Sequence, residues 1–311
     1  MQIQQKWLDR LSALCARYDL GTIKMLTQAS RGINNRIFIV NNQYAIRFDG
    51  LTGIAESRFA AEKIAYDALT EIGVPVPRVI AVDSSHDFAS GDVMIMTRVR
   101  GAAVIDTWHL LSAQQQRHLA YQFGQALAQM HAVTFEKFGR LRKLATNPQD
   151  RWIDYVISFY EQYMIPSLEQ RLLPADLLER IPAIMTCYRP MLESVTTAHL
   201  VHMDAHPENV LQENGELTGI VDFEWALSGE PSSDFQVQDQ WAEFCPDSLE
   251  VIYEGYLSLR SLPADHDQRV ALYWLLRNLD SAVECLLDGD SGQGYQKAEQ
   301  KMRQALAILE S

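Results

Sequence analysis

The sequence predicts an α+β chain of two lobes, a small β-rich lobe followed by a larger, mostly helical one. Two observations carry this expectation. Before Gly101 the apolar residues recur mostly at the two-residue period of strands, broken by turn-forming Asn and Gly. Beyond it they recur at helical spacing, as in Leu119, Phe123, Leu127 and Met130. The switch near Thr97–Gly101 divides the chain into residues 1–97 and 98–311.

The elements follow in order. Trp7, Leu8, Leu11, Leu14 and Cys15 repeat as one face of an opening helix. Ile23 to Thr27 reads as a strand, and Arg36–Val40 and Tyr44–Phe48 form a hairpin around Asn41-Asn42-Gln43. Glu56 to Ile72 reads as a helix stopped by Gly73 and Val74-Pro75-Val76-Pro77. Arg78–Val82 and Asp92–Thr97 are two further strands. In the second lobe, helices are expected over Trp152–Leu168, Leu177–Val195, Leu249–Leu259 and Val270–Leu287. A last helix carries Tyr295, Ala298, Met302 and Leu306. Short strands at Val210–Leu211 and Leu217–Val221 flank the turn Glu213-Asn214-Gly215-Glu216.

Composition narrows the function classes. Hydrophobic residues at 47% and charged residues at 22% are ordinary for a globular chain. A formal charge of −13 argues against nucleic acid as partner, because a phosphate backbone needs a basic surface. It is compatible with a cationic small substrate, although a negative surface also simply favours solubility. Cys15, Cys187, Cys245 and Cys285 are scattered without zinc-ligand or redox spacing and are expected to be buried free thiols. The start of the chain lacks a signal-peptide pattern, and no apolar run approaches the roughly 18 residues of a membrane span. The expectation is a cytoplasmic protein with no membrane partner.

The residues with chemistry concentrate between His202 and Asp234. Asp204 stands five positions before Asn209, and Asp222 opens the Asp222-Phe223 pair after an apolar run. Phosphoryl transfer needs such a set: a carboxylate to orient the attacking hydroxyl and take its proton, and hard oxygens for magnesium. Singly, each has a plainer account: Asp204 as a capping acid, Asn209 as a turn residue, Asp222 as a strand-end acid. Their order, and their places at the edges of apolar β-segments, favours the chemical account.

That order, with His202, His206 and Pro207 around it, resembles the catalytic loop and metal-binding motif of the kinase-like fold. Within that fold it is similar to the aminoglycoside phosphotransferase family, small-molecule kinases that include choline-kinase-like enzymes. The resemblance runs from about Gln28 to Phe235 and is most specific from His202 to Asp234. It implies a bilobal protein-kinase-like fold, ATP or GTP as co-substrate and Mg2+. It makes Asp204 the catalytic base and Asn209 and Asp222 the metal ligands. Arg47 becomes the cation on the phosphates, where protein kinases carry Lys, with Glu62 as its acid and Glu56 as the alternative. Met96 to Val99 becomes the hinge whose backbone meets the adenine, and Ser30–Asn35 the loop over the phosphates. His202, His206 and Asp234 are implied to brace the loop.

The chain departs from the family's usual loop at Met203 and Glu208, where Gly is common, and at Ala205, where Leu is common. None of these is a reacting group. The implied activity moves the γ-phosphate of ATP or GTP to a hydroxyl of a small molecule, with an amine among its expected features. An aminoglycoside-type antibiotic and a choline-, thiamine- or homoserine-like metabolite both remain open as the acceptor. So does a catalytically silent nucleotide-binding regulator. Glu224, two positions after Asp222, is a candidate for the acceptor cleft, as are Asp239, Glu243, Asp280 and Glu284. Trp225, Trp241 and Trp274 would offer cation–π faces, unless they simply belong to the core.

Overall fold

The computed structural model describes residues 5–29, 35–50 and 58–311. An opening helix α1 (Gln5–Arg17) leads into β1 (Leu26–Gln28), β2 (Asn35–Val40) and β3 (Tyr44–Asp49). Helix α2 (Arg58–Glu71), β4 (Val79–Asp83) and β5 (Val93–Thr97) complete the first region. The five strands form one antiparallel sheet in the order β1-β2-β3-β5-β4. Asn41 and Asn42 both adopt positive φ, 53° and 58°, the geometry of a tight hairpin turn that Asn tolerates.

Alternation along the strands decides which helix each residue meets. Ile46, Phe48, Val93 and Ile95 join Leu11, Leu14 and Cys15 of α1 on one face. Met94 and Met96 point the other way and pack with Phe59, Ala65, Tyr66 and Leu69 of α2. This α2 cluster continues into Leu119, Phe123, Val210 and Ile220, so the apolar packing runs across the sequence switch.

Beyond Gly101 come β6 (Ala102–Ala103), α3 (Val104–Thr107), α4 (Ala113–Met130), β7 (Thr134–Phe135) and β8 (Gly139–Arg140). Gly101 sits at φ 91°, and a Cβ there would lie 2.1 Å from the Gln212 carbonyl, so the crossing admits only glycine. Then follow α5 (Trp152–Gln170), α6 (Ala175–Cys187), α7 (Arg189–Glu193), β9 (Ala198–Val201), β10 (Val210–Glu213), β11 (Glu216–Ile220) and β12 (Leu227–Gly229). Helices α8 (Gln238–Phe244), α9 (Ser248–Leu257), α10 (His266–Leu287) and α11 (Gln293–Leu309) close the chain. The small sheets β11-β10-β6 and β7-β9-β12-β8 hold the segment between them in place.

Some expectations need correction. The Leu177–Val195 helix is two helices, broken at Tyr188, where the backbone leaves helical geometry just before Pro190. The first strand begins three residues later than expected. Cys187 is exposed and Cys285 half-buried, so only Cys15 and Cys245 are buried thiols. Residues 30–34 of the expected phosphate-covering loop, and Glu56, lie outside the described residues.

Candidate active site

Arg47 faces α2 because it alternates with the buried Ile46 and Phe48 on β3. Glu62 faces the sheet because it shares a helical face with Phe59, Tyr66 and Leu69. Their side chains meet at 2.6 Å, both almost fully buried. A second Arg47 nitrogen lies 3.1 Å from Asp222 Oδ1, so the sheet-side cation reaches the residue after β11. Burial pushes the Glu62 carboxyl upward, the Arg47 guanidinium pulls it back, and the net displacement is upward. Asp222 has φ 70°, a conformation Asp adopts more readily than most residues. Its N–H donates to the Tyr66 hydroxyl at 3.0 Å.

The segment after β9 is tied down from below. Asp234, buried, accepts the backbone N–H groups of His202 and Met203 at 2.9 and 2.5 Å. His131 approaches the same carboxylate at 2.9 Å and Tyr256 at 3.0 Å. His202 Nδ1 accepts from the Asp204 N–H, and its Nε2 donates to the Val221 carbonyl at 2.9 Å. The segment is thereby fixed to the end of β11. Met203 is held at φ 69°, which explains why glycine suits this position.

Asp204 is the focus of this scaffold. Asn209 Nδ2 donates to its backbone carbonyl at 2.9 Å and to its Oδ2 at 3.2 Å. His206 Nε2 lies 3.3 Å from the same oxygen, and Arg277 Nη2 lies 3.5 Å from Oδ1. Burial pushes the Asp204 carboxyl up, but the His206 hydrogen bond and the Arg277 charge outweigh it, and the net displacement is downward. The group is therefore an ionised acceptor at neutral pH.

Two cavities meet at this carboxylate. The larger, about 840 Å³, runs under the sheet and is lined by Arg47, Met96, Val99, Asn209 and Asp222, with Ile37, Ile39, Ala45 and Leu211 as apolar walls. The smaller, about 250 Å³, lies between α5 and α10 and is lined by aromatic side chains, Arg140, Arg277, Asp280 and Glu284. Among the described residues Asp204 alone lines both.

The donor set suits magnesium carried in with phosphates. Asn209 spends its amide hydrogens on Asp204, which leaves Oδ1 as a free acceptor. Asp222 engages one oxygen with Arg47 and keeps a side chain 42% exposed. Among the described residues no three His, Cys, Asp or Glu side chains form a closed metal cluster. Two protein oxygens in an open cleft are what Mg2+ with phosphate and water ligands requires.

The structure brings Arg47, Glu62, Met96, Val99, Asp204, Asn209 and Asp222 to one cleft. Other candidates fall elsewhere. Glu224 lines the larger cavity and not the smaller one, and Arg58 pairs with it at 3.0 Å. Glu208 lines the same cavity. Asp239 and Glu243 pair with Lys301 and Lys297, outside both cavities. Trp241 is core, stacked on Phe123, and Trp274 packs against the α5–α10 cluster, whereas Trp225 lines the smaller cavity. Sequence reasoning missed Arg58, Arg140 and Arg277. The aromatic spacing Trp152, Tyr155, Phe159, Tyr163 was visible, but such a stripe usually marks core.

Comparison with known proteins decides the family. The model of the phosphotransferase enzyme family matches residues 26–296. The chain belongs to that family. A homoserine kinase of Parvibaculum lavamentivorans is 27% identical over 226 residues, covering 71% of this chain and 65% of that protein, just under two thirds of its length. A homoserine kinase of Gluconobacter oxydans is 24% identical, covering 82% of this chain and 79% of its own. Among solved structures, the GDP complex of aminoglycoside 2'-phosphotransferase-IIIa is 18% identical with TM-score 0.70, covering 98% of this chain and 99% of its own. The streptomycin–ATP ternary complex of APH(2")-IIa is 19% identical with TM-score 0.69, covering 98% and 97%. The phosphotransferase thus has a protein-kinase-like fold, with a sheet-rich N-terminal region and a helical C-terminal region. No helix among the described residues is long and apolar enough to cross a membrane.

Proposed function

We propose that this phosphotransferase moves the γ-phosphoryl group of ATP or GTP to a hydroxyl of a small molecule. The observation that carries the reading is that the Asp204 carboxylate lines both cavities. An acceptor hydroxyl in the smaller one and a phosphate in the larger one would meet across it. Relatives named as kinases, and structural neighbours solved with GDP and ATP, support a nucleoside triphosphate as donor.

In this reading residues 1–97 form the nucleotide lobe and residues 98–311 the catalytic and acceptor lobe. Ile37, Ile39, Ala45, Met96 and Leu211 enclose the purine, and the N–H of Val99, which meets no acceptor among the described residues, faces the base edge. Arg47 contacts the phosphates, positioned by the buried Glu62. Asn209 and Asp222 hold Mg2+, which supplies charge neutralisation on the phosphate oxygens when bound. Asp204, kept ionised, accepts the hydroxyl proton, and Asn209 and His206 aim its carboxylate. Residue 204 therefore separates binding from transfer.

The test measures nucleoside diphosphate release with Mg-ATP and Mg-GTP over pooled alcohols, in wild type and Asp204→Asn. Acceptor-dependent turnover that falls about 10³-fold in the variant, with nucleotide affinity unchanged, is expected. Magnesium-dependent nucleotide binding with no turnover in any pool would instead favour a non-catalytic nucleotide binder.

A further inference from the structure

The smaller cavity has an order along its length. Its α10 side is made by Tyr273, Leu276, Arg277, Asp280, Ser281 and Glu284, one face of the helix. Arg277 lies against Asp204, and Glu284 is exposed at the mouth. The seven-position step between them spans about 10 Å of helix. The opposite wall is the aromatic face of α5, with Trp225 beside it.

Two charged groups in this lining lack what buried charge ordinarily has. Arg140, half-buried on β8, stacks 4.7 Å over the Trp225 ring and has a tyrosine, Tyr155, as hydrogen-bond neighbour. No carboxylate among the described residues lies within ion-pair distance of it. The Asp280 carboxyl has the Tyr163 hydroxyl as a hydrogen-bond neighbour, but its Oδ1 is buried with no donor within hydrogen-bond distance. A half-buried guanidinium with no ion-paired carboxylate and a buried carboxylate oxygen without a donor both carry a cost, and one ligand carrying both charges relieves both.

We propose that the smaller cavity takes a zwitterionic alcohol: a small molecule whose carboxylate meets Arg140, whose amine meets Asp280 and Glu284, and whose hydroxyl meets Asp204. The assignment rests on the phosphoryl-transfer reading for the role of the hydroxyl, but the two charge subsites stand on the cavity alone. Size weighs against a multi-ring polycation. The volume of about 250 Å³ lies below the usual range of drug-sized pockets.

Calorimetry on two matched sets tests this without requiring turnover. One set is L-homoserine, 3-aminopropan-1-ol and 4-hydroxybutanoate; the other is L-tyrosine, tyramine and 3-(4-hydroxyphenyl)propanoate. In each set the second compound lacks the carboxylate and the third lacks the amine. Gentamicin serves as the polycation. In at least one set the zwitterion is expected to bind ten-fold or more tightly than either partner. Arg140→Gln should abolish its advantage over the amino alcohol, and Asp280→Asn its advantage over the hydroxy acid. Arg140→Lys, which keeps the charge, should recover part of the first. Zwitterions that bind no better than their amino alcohols, equal losses for both in Arg140→Gln, no binding at all, or tighter binding of gentamicin would each overturn the assignment. If a variant fails to fold, the ranking on wild type still decides. Zwitterion selectivity without any transfer from Mg-ATP or Mg-GTP would leave the subsites standing and remove the kinase reading instead.

Discussion

On the sheet side of Asp204 the buried arginines are ion-paired within the chain, although Glu62 Oε1 and Arg58 Nε have no hydrogen-bond partner. Arg47 lies between Glu62 and Asp222, and Arg58 between Asp49 and Glu224. On the helical side Arg140 has an aromatic ring for a neighbour, and Asp280 keeps an oxygen without a donor. A cleft whose ions are paired before any ligand arrives is rigid and suits one ligand with fixed phosphate geometry. A cavity that leaves opposite charges unsatisfied is completed by whatever carries their complements, and in the proposed reading the selectivity between acceptors resides there.

The largest effect is expected where the matching is tightest. Arg47→Ala leaves Glu62 buried without its cation, a loss of about 3–5 kcal/mol for broken buried pairs. Glu62 is already displaced upward, so its folded form holds a proton more readily than the unfolded chain does. Removing Arg47 raises it further, and the deficit should grow from pH 5.5 to pH 8 as keeping Glu62 charged becomes costlier. Urea unfolding at the two pH values reads this. A loss below about 1 kcal/mol at both would mean that the pair contributes little to the sheet side and that the contrast is false.

This side was largely legible in the sequence because its groups come at fixed short spacings or on strands with clear alternation. Asp204, Asn209 and Asp222 sit within one loop and hairpin, and Arg47 turns toward α2 because Ile46 and Phe48 turn toward α1. The helical side was legible only in Asp280 and Glu284, which the resemblance offered as candidates and which do line the smaller cavity. Arg140 sits on a two-residue strand with no periodicity to reveal it. Arg277 lies more than 70 residues from Asp204, and only tertiary packing brings α10 to the loop. Glu224 falls on the larger cavity, held by Arg58 from a distant helix that the sequence did not connect to it.

A smaller effect tests the other half of the contrast. Burial pushes the Asp280 carboxyl up to about 6. An acid raised in the folded state stabilises the fold below its unfolded value and loses that contribution as pH rises through the folded one. Asp280→Asn should therefore raise stability at pH 8 by about 1–2 kcal/mol after allowance for partial solvent access, read as a higher thermal midpoint, and change little near pH 4. A midpoint that drops equally at both pH values would show that the carboxylate is already matched within the chain.

The smallest effect concerns the residue just before Asp204. Met203 holds φ 69° because Asp234 fixes its N–H, and its side chain lines the smaller cavity. That conformation costs a non-glycine residue about 1 kcal/mol, which Met203→Gly would relieve. Glycine also loosens the unfolded chain by about the same amount and removes apolar contact, so the net stability change should stay within about 1 kcal/mol. The functional change should be one-sided: a several-fold rise in acceptor KM as the cavity widens, with nucleotide KM unmoved. A matching rise in nucleotide KM would mean that the loop transmits the change through Asp204, and that the two cavities behave as one site rather than two.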